Sequence, residues 1–272
     1  MTTTILDDIV RQKRKRLAIE KQEMPLIDIQ ERLKDLEDDT IRNFPAALRG
    51  RNVRIIAEIK RASPSEGVLK EIFDPRSQAQ DYAGGGAAAI SVVTEEDYFE
   101  GDLLYLRRAR SYMALPVMRK DFIVEPYQIY QARLFMADAV LLMATVLDDE
   151  DLKLLLDVTH QLGMEALVET HDEYDMVRAL YCGAKIIGIN NRNLKTMEID
   201  LAQTERLAKM VPTDKLLVSE SGIHGKPDIE RLAQAGVDAV LIGTMLMKSD
   251  MPGMILRQLI DVPADPARRR QG

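Results

Sequence analysis

Eight short apolar runs, evenly spaced along 272 residues, constrain what this chain can fold into more than any other feature of it. They cover residues 53–60, 87–93, 116–119, 139–143, 165–168, 185–189, 215–218 and 237–242. Each is rich in Val, Ile, Leu and Ala and apolar at consecutive positions. That is the pattern of a parallel strand buried on both faces, not of a hairpin strand with one wet face. Between the runs, apolar residues recur at helical spacing, as in Leu152, Leu155, Leu156 and Thr159, or Ile229, Leu232 and Ala233, with charges on the opposite face. Small-residue stops precede three of the runs, from Ala83 to Ala87, Cys182 to Ala184 and Gln234 to Val237. The runs begin about 26 residues apart, close to the ~30 of one βαβ step. The expected fold is α/β, a (β/α)8 TIM barrel. An open doubly wound sheet is the alternative, but it usually carries a Gly-rich turn after its first strand, where this chain has Lys60-Arg-Ala-Ser-Pro-Ser65.

The first fifty residues stand outside the repeat. They read as an N-terminal helical extension with helices over 5–19 and 27–36, followed by a Pro-containing connector at Asn43-Phe-Pro-Ala46. One barrel domain is expected over 1–272, with 1–50 as its extension and 263–272 as a polar, disordered and dispensable tail. The basic run at 11–16 could contact an anion, but it reads as a solvated helix face, with Glu37, Asp38 and Asp39 nearby in sequence.

A net charge of −7 argues against nucleic acid as a partner. The single cysteine, Cys182, sits among apolar neighbours and reads as a small filler in a reducing compartment. No apolar run approaches the ~20 residues that span a bilayer, and the first residues lack a signal layout, so a cytoplasmic location away from membranes is expected. His160, His171 and His224 are scattered and form no metal-ligand spacing with the cysteine, so no metal site is expected. Catalysis would fall to Lys, Glu, Asn, Ser and backbone groups.

In such a barrel the active site lies at the C-terminal strand ends, so polar residues interrupting apolar runs there are candidates. Run one ends in Glu58-Ile-Lys60, and alternation turns Glu58 and Lys60 to the same, inward side. Run three leads into Lys120, run five into Glu169, run six into Asn190 and run seven into Glu220-Ser221-Gly222. Any one could be a satisfied rim residue. Two lysines and two glutamates converging would shift one another, letting one lysine act as an acid near neutral pH. After runs seven and eight, Ser221-Gly222 and Gly243-Thr244 offer small residues and backbone N–H groups where barrels of this class hold phosphate. Ser63, in Ser-Pro-Ser after run one, is a third contributor.

These residues resemble the indole-3-glycerol phosphate synthase family of tryptophan biosynthesis. The resemblance runs through the segments at 56–65, 91–99, 119–124, 167–171, 187–194, 219–223 and 241–244. It implies decarboxylating, dehydrating ring closure of 1-(2-carboxyphenylamino)-1-deoxyribulose 5-phosphate. No cofactor is implied, because the substrate's arylamine ring and carbonyl already form a reactive pair. By resemblance, Lys120 is the general acid, Lys60 pairs with the substrate carboxylate, and Glu58 and Glu169 divide between holding the ammonium groups and acting as base. Asn190, Ser221 and Arg192 would face the substrate's polar groups, while Ser63, Gly222, Gly243 and Thr244 would cradle the phosphate. Phe99, Phe122 and Leu142 would wall the aromatic ring. Asn191 and Thr244 stand where some members carry Ser, and Glu66 where Lys is frequent.

The expected partner is a small phosphorylated substrate. A monomer is expected, with docking of another enzyme of the pathway left open. Three other readings stay in play: a Schiff-base lysine enzyme, the related barrel that isomerises phosphoribosylanthranilate, for which Cys182 is not placed to supply a thiol, and a non-catalytic phosphate-binding protein.

Overall fold

The computed structural model describes residues 4–36, 40–193 and 196–266. Eight parallel strands close on themselves: β1 (Arg54–Ile59), β2 (Ala89–Val93), β3 (Val117–Lys120), β4 (Ala139–Met143), β5 (Glu165–Thr170), β6 (Ile186–Asn190), β7 (Leu216–Glu220) and β8 (Ala239–Ile242). Every strand pairs with its sequence neighbours, and β8 returns to β1, with Arg54 opposite Ala239. The expected (β/α)8 barrel is what the chain forms. Four strands run one or two residues past the apolar runs, so Lys120, Glu169, Asn190 and Glu220 lie within strands and inherit their side-chain directions.

Alternation sorts each strand into two layers. Ile56, Met118, Leu141, Leu167, Val218 and Leu241 fill the barrel interior, and Phe44 and Leu48, from the short helix before β1, join the same buried cluster. Residues of opposite parity, including Val140, Leu142, Val168, Ile187 and Val240, pack outward with Leu152, Leu155, Ile229 and Leu232 of the surrounding helices. A closed sheet buried on both faces has no wet edge to register against, so the order of its layers is set by which strand positions face in.

The extension forms α1 (Ile5–Glu23) and α2 (Leu26–Lys34). Thr4 and Asp7 cap α1 reciprocally, side chain to backbone at each end of the box. Leu17 and Ile29 pack with Val124, Tyr127 and Leu134, and the Tyr127 hydroxyl donates to the Met24 carbonyl at 2.9 Å. The extension is thus seated on the β3–β4 side of the barrel. Glu37, Asp38 and Asp39 lie outside the described residues, as do 267–272 of the expected tail. The start of that tail is ordered: Ala264 donates its N–H to the Arg51 carbonyl at 3.0 Å and Pro263 bridges Asn52. Cys182 is partly buried at the C-terminal end of the helix spanning Glu173–Tyr181, its thiol 3.6 Å from the Asp149 carbonyl. No helix among the described residues is long and apolar enough to cross a membrane.

Candidate active site

At the C-terminal strand ends lies a cavity of about 520 Å³, the size of a small-molecule site. Glu58, Lys60, Lys120, Glu169, Asn190, Ser221 and Arg192 border it, as do Ser63, Gly222, Gly243, Thr244, Phe99 and Phe122. Leu142 does not. The run at 139–143 is apolar throughout, and the register turns Leu141 and Met143 into the cavity while Leu142 is buried in the outer layer. The apolar wall on β4 is therefore Leu141 and Met143, with Phe99 and Phe122 beside each other at 6.1 Å between ring centroids.

One corner of the cavity is an ion-pair cluster. Glu58, almost fully buried, holds Lys60 at 2.8 Å through Oε1 and Lys120 at 3.6 Å through Oε2. Burial alone would raise the Glu58 carboxyl, but the two ammonium groups outweigh it and hold it down to about 2. For Lys120, burial favours discharge, but Glu58, Glu169 and Glu220 outweigh it and keep the ammonium above its ordinary value. The converging charges shift one another, and for Lys120 the shift is upward. Three carboxyl groups face Lys120 and keep it protonated until something alters that balance.

On β7, two strands from β1 around the barrel, Glu220 behaves oppositely. Burial, reinforced by Glu169 and Glu58 and opposed by Lys120, lifts its carboxyl well above the ordinary range. Its Oε1 has no hydrogen-bond partner among the described residues. Reading the sequence placed Glu220 at a strand end without giving it a role. The signal was its parity: on β7 it lies two residues beyond Val218, which faces inward.

The βα turns are built tightly. Ser221 and Gly222 are both left-handed, with φ of 67° and 80°. For serine that conformation costs of the order of 1–3 kcal/mol and persists only where surroundings enforce it. Asn191 supplies the enforcement: its Nδ2 donates to the Glu220 and Ser221 carbonyls at 2.9 and 3.0 Å and to Ser219 Oγ at 2.9 Å. Its Oδ1 accepts from Thr204 Oγ1 at 2.7 Å. On β1's side, Ser63 Oγ is buried without a partner among the described residues, and Lys60 Nζ lies 3.5 Å from Thr244 Oγ1. Glu66, at the departure from the family pattern, pairs with Lys248 at 2.6 Å across the mouth.

The basic run of α1 is not simply a solvated face. Ile9, Lys13 and Leu17 form its buried stripe, and Lys13 is 1% exposed. Lys13 Nζ reaches Glu96 at 2.7 Å and Asp121 at 3.0 Å, and Arg16 pairs with Asp97. Burial works to discharge Lys13, but Asp121 and Glu96 outweigh it and hold it charged. Asp121 also accepts from Thr94 at 2.7 Å, Arg119 at 2.8 Å and the Phe122 N–H at 2.8 Å. The extension thus reaches under the two segments that carry Phe99 and Phe122. A lysine four residues from an apolar neighbour on each side was the signal available in the sequence. Among the described residues no group of three or more His, Cys, Asp or Glu side chains is placed to hold a metal.

Residues 6–259 match the sequence profile of indole-3-glycerol phosphate synthase. An indole-3-glycerol phosphate synthase of Acetivibrio thermocellus is 45% identical over 90% of this chain and 95% of its own length. One of Albidiferax ferrireducens is 46% identical over 94% of this chain and 98% of its own. Among solved structures, 3-hexulose-6-phosphate synthase of Salmonella typhimurium superposes with a TM-score of 0.63 at 12% identity, covering 76% of this chain and 96% of its own. Thiamine phosphate pyrophosphorylase of Pyrococcus furiosus gives 0.58 at 15% identity, covering 78% and 95%. Those two likenesses concern the fold alone. The profile match over nearly the whole chain, with relatives at this identity and coverage, means that the chain belongs to the indole-3-glycerol phosphate synthase family.

Proposed function

We propose that this protein converts 1-(2-carboxyphenylamino)-1-deoxyribulose 5-phosphate into indole-3-glycerol phosphate, carbon dioxide and water. Family membership supports the reaction. The observation that carries the mechanism is the charged Lys120 facing three carboxyl groups beside an apolar wall.

The substrate's aromatic ring lies along Phe99, Phe122, Leu141 and Met143, and its carboxylate meets Lys60. The phosphate sits among Ser63, Gly222, Gly243 and Thr244, where a buried hydroxyl unpartnered among the described residues and small residues that let an anion approach the backbone favour it. The ring carbon bearing the carboxylate attacks the C2′ carbonyl, and Lys120 gives its proton to the carbonyl oxygen. Neutralising that oxygen beside an apolar wall removes the developing charge at the point where it forms. The bond to the carboxylate then breaks, carbon dioxide leaves and its electron pair returns to the ring.

In the dehydration, Glu169 takes the proton from the former C1′ as the hydroxyl departs with a proton from Glu220. Glu58, committed to both lysines, holds the ammonium groups and is no base. The raised carboxyl of Glu220 suits a proton donor, and its neighbour Glu169 can return the proton to it after turnover. A lysine held in its charged form is a poor nucleophile, which disfavours the Schiff-base reading of Lys120. The extension and the barrel would then act as one domain, since α1 supplies Ile5, Leu6 and Ile9 to the cavity wall.

The test is the growth of indole fluorescence when purified protein meets the carboxyphenylamino-deoxyribulose phosphate with no added metal or cofactor. Growth is expected. A folded protein that gives none, or one that borohydride inactivates covalently in the presence of substrate, would overturn the proposal.

A further inference from the structure

We infer that Gly188 is a positioning residue for this reaction: by carrying no side chain, it leaves the niche inside the barrel into which the Glu220 carboxyl withdraws. Gly188 lies in the middle of β6, opposite Glu169 on β5 and Val218 on β7, with the same parity as Asn190 of the cavity wall. A Cβ added to Gly188 would stand closer than 3.0 Å to Glu220 Oε1. Its next neighbours would be Leu167 Cδ1 at 3.3 Å and the Glu169 Cα at 3.5 Å, the first a movable methyl and the second an ordinary contact.

Nothing else in the surroundings requires glycine here. Gly188 is not in the left-handed region, so no turn demands it. A strand interior is otherwise weakened by glycine, and its presence there marks a close approach. The group that approaches is the far end of a flexible, buried side chain whose Oε1 has no hydrogen-bond partner among the described residues. That end swings aside easily, so alanine at 188 spares the fold and displaces the Glu220 carboxyl. A displacement of roughly an ångström in a reacting group costs up to about 10²-fold in rate.

The inference rests on the reading of Glu220 as a proton donor, and the experiment separates the two. Steady-state kinetics and thermal unfolding are measured for wild type, Gly188→Ala, Glu220→Gln, Glu220→Asp and the Gly188→Ala/Glu220→Asp double variant. Gly188→Ala should unfold near the wild-type temperature with kcat lowered about 10- to 100-fold and KM changed far less. In the Glu220→Asp background, where the shorter side chain vacates the niche, the same alanine should cost no more than about twofold, a large coupling between the two sites. A normal kcat for Gly188→Ala beside an impaired Glu220→Gln overturns the role of Gly188 alone. A wild-type rate for Glu220→Gln overturns the reading of Glu220 itself. A Gly188→Ala chain that does not fold, or an alanine that costs as much in the Glu220→Asp background as in wild type, also overturns the inference, because the methyl would then be acting on something other than the Glu220 tip.

Discussion

Glu58 and Glu220 are both buried in one cavity, and their surroundings drive them in opposite directions. Glu58 meets two ammonium groups within 4 Å and is held down to about 2. Glu220 meets two other carboxyl groups and only one opposing lysine, and is pushed well above the ordinary range. Burial acts the same way on both, so the difference comes from the count and distance of cations around each. One fold therefore keeps a carboxyl held low and a carboxyl pushed high in a single mouth. The division of labour proposed for the two carboxyl groups depends on that asymmetry.

Removing Lys120 strikes the asymmetry hardest, because it is the cation between the two sides. Lys120→Ala is expected to lower kcat at least ~10²-fold; a near-normal rate would abolish its role as general acid. Lys60→Ala should spare the acid and weaken the hold on the substrate carboxylate, raising KM about tenfold, as loss of one charge-assisted contact of ~1.5 kcal/mol does. If kcat falls instead and KM stays, Lys60 belongs to the chemistry and not to binding.

Stability against pH gives a finer measure. A depressed carboxyl contributes stability above its unfolded pKa, and that contribution is lost as pH falls through the folded value. For Glu58 the window runs from about 4.5 down to about 2. Urea unfolding of wild type and Glu58→Gln should therefore converge as pH falls across that window, with wild type losing the more. Glu220 has the opposite sign: its raised carboxyl favours the folded chain most below its unfolded pKa and less as pH rises through the folded value. Glu220→Gln should thus gain stability on wild type as pH rises above the ordinary carboxylate range, read as a rise in its melting temperature relative to wild type. Parallel curves for that pair would mean that Glu220 is an ordinary carboxylate.

The barrel was legible because strands buried on both faces leave unbroken apolar runs, and eight of them at one spacing admit few folds. The same property hid the side-chain parity. In the run at 139–143 every position is apolar, so Leu142 and its neighbours look alike until the register turns Leu141 and Met143 inward. Polar strand ends were easier: Glu58, Lys60, Lys120 and Glu169 interrupt apolar runs, and the cavity gathers all four. Lys13 escaped because a charge inside a basic run looks like more of the same, and only its partners, brought in by strand order, show that it is buried. Gly188 gave no chemical signal at all; its meaning lies in the side chain it makes room for.

The buried ammonium of Lys13 also bears on how the chain assembles. Lys13 and its partner Glu96 stand 83 residues apart. Until β2 and β3 stand beneath it, that ammonium stays in water, and seating it closes a long loop. Contacts of that sequence separation are paid for in loop entropy before they return anything. The setting of the segments that carry Phe99 and Phe122 is thus tied to a helix from a distant part of the chain, through one buried ammonium.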